Sequence, residues 1–132
     1  MKLHSLTIGV LFCAVLTDAG AQAMDGKALF TKNCAACHQA NGKGIPGAFP
    51  ALAGNPLVQG APSEPATVLL KGRGGMPDFS GVLSDADIAQ VLTYARSSWG
   101  NKAGAVTDAE VASLRTALQA AQAGTGRLSN KH

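Results

Sequence analysis

Cys34, Cys37 and His38 stand within five positions, in the run Cys34-Ala35-Ala36-Cys37-His38. A C-x-x-C-H run is the attachment signature of c-type haem. One short turn offers two sulfurs to two vinyl groups of a single porphyrin, while the adjacent imidazole reaches its iron. Three other uses of these atoms fit less well. A structural zinc site takes four N or S ligands, and after residue 23 the chain adds only His132 to the three. A thioredoxin-like redox pair needs a β-α-β setting, and no alternating apolar run is long enough for a sheet. A Cys34–Cys37 disulfide closes too small a loop to stabilise much.

With His38 on one side of the iron, elimination points to Met76 on the other. Past the first 23 residues the chain offers Met24, Met76 and His132, and of these only Met76 lies away from a chain end. Gly72, Gly74 and Gly75 precede it and let the backbone approach a flat cofactor. Pro77 follows and biases Met76 toward an extended conformation.

The chain has 132 residues, 46% hydrophobic but only 5% aromatic, 14% charged, with a net charge of +3. That excludes a disordered chain, and its length corresponds to one domain. Six aromatics (Phe12, Phe30, Phe49, Phe79, Tyr94 and Trp99) make a thin core, so a cofactor is expected to fill part of it. Residues 1–23 read as a secretory signal: Lys2 and His4 open a polar segment, Leu6 to Leu16 is apolar, and Ala21-Gln22-Ala23 is an A-x-A site with cleavage after Ala23. The apolar run is too short to span a bilayer. Cys13 leaves with it, and no lipid anchor or stable membrane insertion is expected.

Four helices are expected to position the motifs. Asp25 caps one that runs toward Cys34. Gln39 to Pro62, rich in Gly and Pro, reads as loop. Ser63-Glu64-Pro65 opens a second helix through Lys71, which Gly72 stops. Ser84 caps a third with the apolar stripe Ile88, Val91, Leu92, Ala95 and Trp99, ended by Gly100. Thr107 and Glu110 form a capping box for a fourth, Val106 and Val111 a hydrophobic staple, and Val111, Leu114, Leu118 and Ala121 its stripe. Gly124 to His132 reads as a frayed tail.

The motifs C-A-A-C-H (34–38), F-P-A-L-A-G (49–54) and G-G-M-P-D-F (74–79), in that order, resemble the class I cytochromes c over Asp25 to Gly100. The resemblance implies an all-α fold: short helices wrapping one covalently bound haem c in residues 24–101, with an extra C-terminal helix and tail in 102–132. It implies that Gly26 and Phe30 cross Tyr94, that the carbonyl of Pro50 accepts a hydrogen bond from the His38 ring, and that Leu52 and Phe79 line the haem pocket. It also puts Arg73 or the Trp99 indole within reach of a propionate. The stretches 47–56, 70–77 and 97–101 further resemble the cytochrome domains that serve periplasmic alcohol, aldehyde and sugar-acid dehydrogenases.

The function expected is that of a periplasmic monomeric one-electron carrier. It takes electrons from a periplasmic dehydrogenase or respiratory complex and passes them to another cytochrome or a terminal oxidase. Two alternatives are a dedicated dehydrogenase subunit docked through the helix 108–122, and a small haem peroxidase. The peroxidase would need a distal acid-base residue, and the chain spares only His132 for it. Residues 24–77 carry five Lys and Arg against two acids, whereas 78–132 balance at five each, a field that could steer the haem face to an acidic partner. The small basic patch, without interleaved aromatics, gives no sign of nucleic-acid binding.

Overall fold

Asp25 opens the first helix as its sequence predicts: the carboxylate accepts from the Ala28 N–H at 2.8 Å, and α1 runs Gly26–Asn33. The computed structural model describes residues 25–129. The expected leader, its cleavage site, Met24 and His132 lie outside the described residues. Beyond α1 come α2 (Ala35–His38), α3 (Pro56–Gln59), α4 (Ser63–Lys71), α5 (Asp85–Ser97) and α6 (Asp108–Ser129). Pairing between extended segments among the described residues is limited to the isolated bridges Ile45–Phe49 and Arg73–Met76. The fold is all-α, as expected.

The helix starts follow local capping. Ser84 and Asp87 close a reciprocal capping box on α5. At α6, the N–H and hydroxyl of Thr107 both donate to Glu110 Oε2 at 2.8 Å, and the hydroxyl accepts from the Glu110 N–H at 3.2 Å. Val106 and Val111 are buried beside it, as a hydrophobic staple requires.

Three boundaries differ from the sequence reading. A four-residue helix, α3, interrupts the expected loop because Asn55 accepts from the N–H groups of Leu57 and Val58 and Pro56 occupies the first turn. α5 ends at Ser97 rather than beyond Trp99. Trp99 turns into the left-handed region (φ +54°) and packs at a tilt against Phe30, with ring centroids 5.0 Å apart. α6 continues to Ser129 through the expected tail. Alanine is the best helix former, and Ala117, Ala120, Ala121 and Ala123 lead the helix up to Gly124, where the expected tail begins.

The core lies where α1 crosses α5. A Cβ on Gly26 would collide with the carbonyl oxygen of Gln90 and sit 2.9 Å from the Tyr94 Cβ. Phe30, 2% exposed, meets Tyr94 at 5.6 Å, and Tyr94 meets Trp99 edge-on at 5.5 Å. The helix crossing implied by the resemblance is present. α6 lies across α4 and α5, burying Val111 and half-burying Leu114 and Leu118 against the same core. Val111, Leu114 and Leu118 of its expected stripe thus pack on the chain's own surface, whereas the fourth member, Ala121, is exposed, as is the helix from Gln119 to Thr125.

Arg96 is buried in the last turn of α5. It donates to the carbonyls of Val58 (2.7 Å), Gly60 (2.9 Å) and Gly104 (2.8 Å). A buried guanidinium needs its donors satisfied, and here the bonds tie the end of α3 and the segment after α5 to one side chain.

Candidate cofactor site

α1 ends at Cys34, whose backbone (φ −124°, ψ −33°) breaks the helix and starts α2. The four residues of α2 form the short turn the motif requires: Cys37 and His38 both donate their N–H to the Cys34 carbonyl, at 3.2 and 2.9 Å. Both cysteines are unpaired and half-buried. Burial, reinforced by neighbouring Cys37, pushes the Cys34 thiol up to about 11. Redox-active and metal-binding cysteines are thiolates with lowered pKa values; Cys34 is held as a neutral thiol in apolar surroundings. Among the described residues, no three His, Cys, Asp or Glu side chains converge as a metal-ion cluster.

His38 is buried, 7% exposed. Its Nδ1 lies 2.9 Å from the carbonyl oxygen of Pro50. A carbonyl only accepts, so Nδ1 carries a proton, and Nε2 is the ring nitrogen left for another partner. The loop reaches this position through turns anchored on α2. Gly44 donates to the His38 carbonyl at 2.9 Å, Ile45 and Phe49 exchange a pair of backbone bonds, and Leu52 and Ala53 both return to the Gly42 carbonyl. Pro50 itself is exposed, and with Lys43, Phe49 and Ala51 it borders a surface hollow of about 330 Å³.

Met76 sits in the loop between α4 and α5. Gly72 ends α4 at φ +72°, and a Cβ there would stand 2.7 Å from the Met76 carbonyl oxygen, so the turn demands glycine. Arg73 and Met76 exchange backbone hydrogen bonds at 3.0 and 3.1 Å. Downstream, the Phe79 N–H bonds the Leu69 carbonyl at 2.8 Å and returns the chain to α4. Cys34, Leu52, Met76 and Phe79 are all partly buried against one core. The loops that follow His38 and Met76 also hold the large apolar side chains Ile45, Phe49 and Val82 at 40, 38 and 70% exposure.

Burying this apolar surface under a flat, mostly apolar group would be favourable. The His38 imidazole and the two cysteines lie on α2 and at its start, and the Met76 thioether packs against the same core as Cys34. These donors fit a haem attached through two thioethers and ligated by nitrogen and sulfur.

The Trp99 indole, one of the two groups expected near a propionate, has a partner within the chain. Its N–H donates to the Ala40 carbonyl at 3.0 Å. Asn101 is a support the sequence reading did not single out. Buried, it donates to the carbonyls of Leu52 and Ala95 and accepts from Gly54, at 2.8–3.0 Å. It thereby fixes Leu52 to the end of α5.

The family profile described as "Cytochrome C oxidase, cbb3-type, subunit III" matches residues 21–94. The chain is 36% identical over 100 residues to the alcohol dehydrogenase (quinone) cytochrome c subunit of Gluconobacter oxydans, an alignment covering 67% of this chain and 21% of that one. It is 37% identical over 92 residues to cytochrome c-552 of Thermus thermophilus, covering 58% and 70%. With cytochrome c6 of Microcystis aeruginosa it shares 42% over 73 residues, covering 53% and 89%. The chain thus spans about a fifth of the length of the dehydrogenase subunit it matches.

Proposed function

Because the chain belongs to the cytochrome c family, and is therefore an electron carrier with covalently bound haem c, we propose that it works in the periplasm as a single-haem shuttle. The haem supplies a one-electron iron couple whose potential a His/Met ligand pair raises. Cys34 and Cys37 would hold it through thioethers, His38 Nε2 and the Met76 sulfur would be its iron ligands, and Leu52 and Phe79 would line the pocket. The Pro50 carbonyl orients the imidazole and raises its basicity, as partners of metal-bound histidines do. Residues 24–101 form the cytochrome domain, and 102–132 add the helix that covers α4 and α5.

The observation that carries this assignment is the buried His38, its Nδ1 engaged by Pro50 so that Nε2 is the nitrogen available to a ligand partner, directly after Cys37. A one-electron carrier needs ligands that stay in place in both oxidation states. Ligands set on a short helix and a backbone-tied turn meet that need.

The donor we propose is a periplasmic dehydrogenase and the acceptor another cytochrome or a terminal oxidase. The names of the relatives favour this: an alcohol dehydrogenase cytochrome subunit and the CcoP subunit of a cbb3-type oxidase of Azospirillum brasilense, 38% identical over 93 residues. Among the described residues no helix is long and apolar enough to cross a membrane. We propose a monomer. Substitution of Met76 tests the ligand assignment. Met76→Ala removes the methionine-to-iron charge-transfer band of the oxidised protein and lowers its potential; an unchanged band refutes Met76 as ligand.

A further inference from the structure

The helix α6 grips the loop that carries Met76. Arg115, 18% exposed in its side chain, sits on the packed face of α6 between Val111 and Leu118 and reaches across to the start of α5. Its Nε donates to Asp85 Oδ1 at 2.7 Å, Nη1 to the Ser80 carbonyl at 2.6 Å, and Nη2 to the Leu83 carbonyl at 3.1 Å. One planar group thus spans both ends of the segment 80–83 and the first residue of α5.

Elsewhere that segment is held by the burial of Leu83 in the core and by the Ser80 N–H donating to Asp78 at 2.6 Å. Gly72, Gly74, Gly75 and Gly81 lie within one loop, and glycine gives the chain the largest freedom to lose. The turn 79–83 closes on the Phe79 carbonyl through the N–H groups of Val82 and Leu83. Phe79 in turn is held on Leu69. Between the Arg73–Met76 pair and α5, the hydrogen-bond tethers to groups outside the loop, among the described residues, are therefore the Leu69 carbonyl on α4 and the guanidinium on α6, beside the burial of Leu83 in the core.

We propose that Arg115 is a positioning residue for Met76: α6 straps the segment 80–83 and so holds the methionine against the iron. The proposal rests on Met76 as the axial ligand. It gives the appended helix a role at the site, although none of its residues lies in the C-x-x-C-H or Met76 motifs.

The test uses the haem-loaded full chain and cyanide, which competes for the position of the methionine. Hydrogen bonds to a charged group are strong enough that Arg115→Ala should speed cyanide binding to the oxidised protein about tenfold or more. The charge-transfer band should weaken in parallel. Arg115→Lys, which keeps the charge but loses the three-way fork, should fall between Ala and wild type. Thr107→Ala is the control: it weakens α6 at its cap without touching the loop. It should leave cyanide binding and the band at wild-type values.

If Arg115→Ala does not fold, Arg115→Lys and Asp85→Asn carry the same comparison. Equal cyanide rates in wild type and the Arg115 and Asp85 variants overturn the proposal. So does an acceleration that Thr107→Ala reproduces, since α6 would then act through general stability alone. A wild-type protein with no charge-transfer band refutes Met76 as ligand instead, and the two failures are distinguishable.

Discussion

The carbonyl oxygen of Pro50 accepts from Nδ1 of His38 across 2.9 Å, joining a loop residue to an imidazole twelve positions earlier. An acceptor on the distal ring nitrogen makes Nε2 a stronger donor and stabilises the oxidised metal. Pro50→Ala frees the backbone torsion that aims this carbonyl. Its reduction potential should rise relative to wild type in a redox titration, with the charge-transfer band retained. A potential that stays the same or falls contradicts this role.

Gly26 is the point of closest approach between α1 and α5. A methyl group there meets the Gln90 carbonyl and the Tyr94 Cβ, both fixed by α5. Overpacking of this kind typically costs about 1–3 kcal/mol. Denaturant unfolding of Gly26→Ala should show a lower midpoint with an unchanged slope, and an unchanged midpoint would mean that the helices separate freely.

The cap of α6 predicts an acid dependence. Hydrogen bonds from the Thr107 N–H, then its hydroxyl, hold the Glu110 carboxyl below its ordinary value of 4.5. A lowered folded pKa contributes stability above the unfolded value, and this is lost as pH falls through the folded one. Glu110→Gln should therefore flatten part of the stability decline below pH 4.5. Asp78, lowered by Ser80, retains its own part. Thr107→Ala should cost about 1 kcal/mol at neutral pH, as lost N-caps do. A decline identical in wild type and Glu110→Gln would refute the assignment.

The C-x-x-C-H run was legible because covalent attachment ties its chemistry to local spacing, and the starts of α1, α5 and α6 because caps are local too. Trp99 was misplaced for the opposite reason. It continues the helical period of Ile88 and Leu92, but its contact with Phe30, 69 positions earlier in sequence, draws it out of the helix. α3 is too short to show a period. Arg96 and Arg115 form their bonds 8–38 residues away. A signal for both was nonetheless present: Arg96 stands four residues after Leu92, and Arg115 four after Val111. A cation on an apolar stripe must find buried acceptors.

Covalent haem attachment at Cys34 and Cys37 is the central claim, and denaturing electrophoresis followed by haem staining and intact-mass measurement tests it most directly. Wild type should retain the stain and carry the added mass of one haem, while Cys34→Ala/Cys37→Ala loses both. Wild-type chain at the bare polypeptide mass, unstained, from cells that mature c-type haem proteins, would contradict it.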